Sequence, residues 1–177
     1  MPAASTSFPD TRISWKRVEV VCQLRLLSFI SHERIKILQC GTKREALMEM
    51  IKLLQSTGAV SEEDGLSHLI FQREASISTG LELGIAVPHT RIEGMAKPVV
   101  AVGTAPHGIP DYETIDGSEV TILVMIVTGT GNPAVYSTLL AQAVEILRID
   151  EAREELMAAS TPAEIYGILA ARAGDKS

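Results

Sequence analysis

The side chains of this 177-residue chain best suited to nucleophilic chemistry near neutral pH are four histidines (His32, His68, His89 and His107) and two cysteines (Cys22 and Cys40). His89 has the most suggestive surroundings. It follows the apolar run Ile85-Ala86-Val87 and Pro88, and it precedes Thr90-Arg91. Proline holds φ near about −65° and has no backbone donor, so a strand is expected to end at Pro88 with His89 in a stiff loop beyond it. Gly80 and Gly84 leave room for another stretch of backbone to pass close by. A neutral imidazole nitrogen is a good nucleophile, and the permanent charge of Arg91 beside it suits an incoming dianion such as a phosphoryl group. A loop histidine without a role would look the same locally, and local features leave both readings open.

The other candidates carry less. No two histidines stand three or four apart, and no cysteine or carboxylate joins them at ligand spacing, so the pattern argues against a metal site. His68 falls on a helix and reads as solvated. His107 sits in Pro106-His107-Gly108-Ile109-Pro110 and reads as an exposed turn residue, while His32 is assigned no role. Cys40, just before a helix start, reads as a buried structural thiol. Tyr136 on its own residues reads as core. There is no Gly-x-Ser-x-Gly, no Gly-Lys-Thr phosphate loop and no dinucleotide fingerprint.

Stepping outward, the elements that must position His89 are legible in part. Thr42-Lys43-Arg44-Glu45 is a capping box, and Leu47, Met50, Ile51 and Leu54 give the helix behind it one buried face, closed by Gly58. Residues 34–38 before it suit a short edge strand. A second helix is predicted from Ser61, with Glu62, Glu63 and Asp64 at the positive end of its dipole and Leu66, Leu69 and Ile70 as its stripe, fading near Arg73 and Glu74. Residues 75–82 read as loop. After His89 a further loop and a strand over 99–103 are expected, then turns at 106–110 and Asp116-Gly117. Residues 120–127 are apolar at nearly every position, the mark of a central strand covered on both faces. Asn132-Pro133 opens a helix with Tyr136, Leu139, Leu140, Ala143 and Leu147 inward. A short helix follows over 150–158, and Thr161-Pro162-Ala163-Glu164 caps a last one with Ile165, Ile168 and Leu169 buried. Helices alternate with buried strands, so the expected class is α/β: three layers, a mixed β-sheet flanked by helices on both faces.

Composition bounds the function. At 46% hydrophobic and 21% charged, the chain has the balance of one globular domain. A net charge of −6 with no basic cluster argues against nucleic acid as a partner. No apolar stretch reaches the roughly 18 to 20 residues of a membrane span, so no direct membrane insertion is expected. Two cysteines make no disulfide framework, which fits a cytoplasmic location.

One resemblance adds to this. Arg73-Glu74, then Ser78-Thr79-Gly80, then Gly84-Ile85-Ala86-Val87-Pro88-His89-Thr90-Arg91, with Lys97-Pro98-Val99 and Ile115-Asp116-Gly117 after them, recur in order. From about Leu26 to Ala171 the chain resembles an enzyme IIA domain of the bacterial phosphoenolpyruvate-dependent sugar phosphotransferase system. The type is the fructose/mannitol class, including its nitrogen-related regulatory branch. The resemblance implies residues 25–172 as the domain; residues 1–24 lie outside it, as an N-terminal extension or a misassigned start, and 173–177 read from their residues as a polar tail. It implies a phosphohistidine carrier in which His89 is loaded by the histidine phosphocarrier protein, with the phosphoryl group drawn from phosphoenolpyruvate and no other cofactor. Arg73 matches the arginine near the phosphate, and Thr79 suits a hydroxyl donor in the same pocket. Arg91 is a weaker candidate, equally suited to a surface carboxylate. Tyr136 falls where members often carry a second histidine, which puts the usual transfer rate in question. A regulatory role is the leading expectation. The alternatives are relay to a separate sugar-specific IIB partner, or an interaction module in which His89 is never phosphorylated.

Overall fold

The computed structural model describes residues 25–131 and 133–174. The expected N-terminal extension, the Asn132 cap, Cys22 and the last three residues of the polar tail therefore lie outside the described residues.

Strand β5 (Val120–Gly129) is the spine of the sheet. It pairs antiparallel with β4 (Val99–Ile109) on one side and parallel with β2 (Ile85–Ala86) and β3 (His89–Ile92) on the other. Strand β1 (Ile35–Ile37) lies outside β4, at the edge expected for it, and runs parallel to it. The unbroken hydrophobicity of 120–127 has its cause here. Leu123, Met125 and Val127 face the core under α1 (Lys43–Ser56) and α2 (Leu66–Ser76). Ile122, Val124 and Ile126 face the opposite layer of α3 (Pro133–Leu147), α4 (Asp150–Ala158) and α5 (Pro162–Gly174). The sheet is mixed and sandwiched between helices, the three-layer class read from the sequence.

Both capping boxes form, with one shared detail. Thr42 Oγ1 accepts from the Glu45 amide at 3.2 Å, and Thr161 Oγ1 from the Glu164 amide at 3.2 Å. The returning carboxylates bond one residue further out than the cap itself, Glu45 to the Gly41 amide at 3.0 Å and Glu164 to the Ser160 amide at 2.7 Å.

Three expectations are corrected. Helix α2 begins at Leu66, not Ser61, because the Asp64 carboxylate takes the Ser61 amide at 2.8 Å and Gly65 turns left-handed at φ +63°. It also runs on to Ser76, shortening the expected loop. Strand β4 continues to Ile109 through an irregularity after Thr104, so Pro106 and His107 lie on a strand, exposed, and not in a turn. Most consequential, His89 is not in a loop. The pairs Ile85↔Ile122 and Ala86↔Leu123 are followed by His89↔Ile126 and Thr90↔Val127 in the same register, so β2 and β3 are halves of one edge strand. Pro88 removes one rung for want of an N–H, yet its carbonyl still accepts from the Ile126 amide at 3.0 Å and keeps the strand in line.

Candidate functional site

The alternation of the edge strand sends Ile85, Val87 and His89 toward the α3 layer. There Tyr136, in the first turns of α3, stacks on the imidazole with ring centroids 4.2 Å apart and planes at 26°. From the opposite layer Arg73, in the last turn of α2, reaches round the open edge, and its Nε donates to His89 Nε2 at 3.2 Å. Its Nη1 donates to the Ile77 carbonyl at 2.8 Å, which holds the guanidinium in place.

These contacts fix the tautomer. A guanidinium only donates, so His89 Nε2 must present its lone pair to Arg73. The Val87 carbonyl, 3.0 Å from Nδ1, only accepts, so Nδ1 carries the hydrogen. Tyr136 Oη, also 3.0 Å from Nδ1, is then a second acceptor for that hydrogen. Burial lowers the His89 pKa from its ordinary value. The nearby charges of Arg73 and Arg91 push the same way, against the Val87 hydrogen bond and Glu74, which favour the charged ring. The ring is thus kept neutral, with a nucleophilic Nε2 beside a cation. Burial raises the Tyr136 pKa, so the phenol stays neutral with it.

The residues predicted from sequence are only partly brought together. His89, Arg73 and Tyr136 meet directly. Arg91 lies two residues along the strand, exposed, acting on the ring through its charge, and it has no ion pair with a carboxylate among the described residues. The Thr79 hydroxyl is turned the other way: it donates to Glu74 Oε1 and lies 3.0 Å from Tyr112 Oη. Thr79 touches the His89 segment through its backbone, its carbonyl accepting from the Val87 amide at 3.0 Å. The glycines behave as expected: a side chain at Gly80 would start 2.1 Å from the Glu113 carbonyl, and one at Gly84 2.7 Å from that of Glu119.

Sequence reasoning missed the polar group behind the site. Glu74 is buried, ion-paired to Lys43 Nζ at 3.0 Å and hydrogen-bonded by Tyr112 Oη at 2.9 Å. A signal existed, since Glu74 continues the Leu66 and Ile70 stripe at steps of four and so falls on the buried face of α2. Of the other histidines, His68 is exposed on α2 and His32 lies against the Tyr166 ring. Cys40 is a buried thiol whose pKa burial raises. Among the described residues no helix is long and apolar enough to cross a membrane.

Comparison with known proteins assigns the chain to a family. The family model described as phosphoenolpyruvate-dependent sugar phosphotransferase system, EIIA 2, matches residues 28–172. The fructose-specific EIIABC component of Bacillus subtilis is 26% identical over 147 residues, 82% of this chain but 23% of that protein. A nitrogen regulatory protein of Bradyrhizobium diazoefficiens is 27% identical over 134 residues, 75% of this chain and 86% of that one. Among solved structures, the nitrogen regulatory protein IIA-Ntr of Neisseria meningitidis superposes with a TM-score of 0.73 at 23% identity, covering 81% of this chain and 98% of that one. The Escherichia coli complex of enzyme IIAMTL with phosphorylated enzyme IIBMTL gives 0.66 at 21%, covering 80% and 97%. At these identities the structures speak to the fold.

Proposed function

The chain belongs to the EIIA 2 family of the phosphoenolpyruvate-dependent sugar phosphotransferase system, a family of phosphoryl-transfer components, and on that premise we propose that His89 is its phosphoacceptor, loaded by a histidine phosphocarrier protein. The observation that carries this reading is the pairing of Arg73 Nε with His89 Nε2 while Nδ1–H is held by the Val87 carbonyl.

In the transfer, Nε2 attacks the phosphorus of the donor's phosphohistidine in line. A nitrogen–phosphorus bond forms on His89 as the one on the donor breaks, and the donor imidazole leaves with the electron pair. Arg73 then gives up Nε2, which is no longer an acceptor, and turns its fork of donors to the equatorial oxygens. The hydrogen on Nδ1 stays with the Val87 carbonyl and Tyr136 Oη, so the phosphorylated ring is a cation, and charge balances with no proton transfer when the donor's phosphorylated ring carries a hydrogen on its other nitrogen and leaves as neutral imidazole. Arg91 adds a second positive charge at the mouth of the site. Tyr136 supplies a stacking surface and a neutral oxygen, without the ionisable group that a histidine would bring.

The output of the phosphorylated form is regulatory in our reading, as the relatives named nitrogen regulatory protein suggest. A dianion added on an edge strand beside exposed Ile77 would change which partner surface fits there. Relay to a IIB partner is the second reading, favoured by the likeness to the IIAMTL chain of a complex with phosphorylated IIBMTL. Both place the protein in the cytoplasm, with its phosphocarrier.

The test is phosphotransfer from labelled phosphoenolpyruvate through enzyme I and the phosphocarrier, on wild type and His89→Ala. Acid-labile label on the wild type that His89→Ala abolishes supports the reading. An unlabelled wild type, with the carrier active on another acceptor, removes it.

A further inference from the structure

Arg73 and Glu74 are neighbours in the last turn of α2, yet their side chains go to opposite sides of His89. Arg73 reaches the front of the ring, at Nε2. Glu74 turns inward, and its carboxylate accepts from the Thr79 amide at 3.2 Å and from the Thr79 hydroxyl. The Thr79 carbonyl accepts from the Val87 amide at 3.0 Å, and the Val87 carbonyl holds His89 Nδ1 at 3.0 Å. An unbroken chain of contacts therefore runs from the Glu74 carboxylate to the back of the imidazole. We propose that Glu74 is a positioning residue for His89, setting through Thr79 and Val87 which ring nitrogen carries the hydrogen, so that one helix end clamps the imidazole from both sides.

The surroundings of the carboxylate fit a fixed anchor. Its side chain is 4% exposed, and both oxygens are engaged, Oε1 by Tyr112 Oη and the Thr79 hydroxyl and Oε2 by Lys43 Nζ and the Thr79 amide. Lys43 itself is tied down, its ammonium lying 4.5 Å from the Tyr112 ring centre and donating to Ser78 Oγ at 3.4 Å. The anchor joins α1, α2, the 77–80 segment and Tyr112 at one point. A carboxylate so enclosed cannot drift, and neither can the amide it holds. This deepens the proposed function, since a ring with its hydrogen at Nδ1 is the one able to take a phosphoryl group at Nε2. It can nonetheless be tested without phosphorylation.

The experiment is nitrogen-15 NMR of histidine-labelled protein at about pH 8, above the ordinary imidazole pKa, read beside the phosphotransfer rate. The wild-type His89 signal is expected as the Nδ1–H tautomer almost alone. Glu74→Gln, with similar shape and no charge, should give a mixture of tautomers and a phosphotransfer rate lower by about tenfold, with the phosphocarrier's affinity unchanged. Should Glu74→Gln fail to fold, Thr79→Val decides. It removes one bond to the carboxylate and should shift the tautomer the same way, slowing transfer about threefold. Wild-type tautomer populations in the folded variant, whatever its melting temperature, would overturn the proposal. A tautomer shift in a protein that never takes up phosphate would uphold the positioning and reject the phosphoacceptor.

Discussion

At the scale of the residue, the site is an imidazole whose two nitrogens have been given different work. Arg73 contributes charge and geometry together, so Arg73→Lys, which keeps only the charge, should slow phosphorylation by about a hundredfold, measured as single-turnover transfer from the loaded carrier. Tyr136 has two contacts to separate. Tyr136→Phe keeps the stack and loses the oxygen, and should cost only about threefold, whereas Tyr136→Ala loses both and should cost more. The depressed His89 pKa has a definite sign. An ordinary histidine is half protonated at about pH 6.5, but the buried ring beside Arg73 and Arg91 is mostly neutral there. Phosphoryl acceptance should therefore fall off at a lower pH than it would for an ordinary histidine. The unfolded chain takes up this proton first, so stability should drop as the pH falls from the unfolded pKa toward the folded one. Replacing His89 by Gln should remove that part of the slope in urea titrations at several pH values.

The elements show which features a sequence can disclose. The caps at Thr42 and Thr161 depend on four adjacent residues and were readable as such. Thr42→Ala should cost about 1 kcal/mol in urea unfolding, through the lost bond to the Glu45 amide. The start of α2 was misread because Ser61 and three acidic residues mimic a helix N-terminus. The Asp64 side chain spends itself on a local turn instead, a competition between two nearby arrangements that composition does not rank. The Pro88 break was misread for a different reason. Proline is a sound local sign of a strand's end, but β5 supplies the partner that carries the strand through it, and β5 lies far along the chain. His89 consequently sits on a sheet edge, which would mount the proposed nucleophile more firmly than a loop.

For the whole molecule, the proposed site follows from layering. The sheet edge where His89 stands is open to both helical layers, so Tyr136 comes from one and Arg73 from the other. Neither α2 nor α3 alone could build the site. The three-layer class was legible from the alternation of elements and from the apolar run of β5. Of the candidate site, the ordered motif matches marked His89 and Arg73, which the fold brings into contact, but the direction of the Thr79 hydroxyl was not legible, because Glu74 and Tyr112 meet it only in the folded chain. Leu123, buried at the centre of β5, should be among the costlier core truncations: Leu123→Ala should lose about 2–5 kcal/mol in chemical denaturation. The most direct test of the central claim is phosphorus and nitrogen NMR on histidine-labelled protein, phosphorylated through enzyme I and its carrier. The account predicts phosphorus bonded to Nε2 of His89 with the hydrogen retained on Nδ1. Phosphorus on Nδ1, or on His32, His68 or His107, would contradict it.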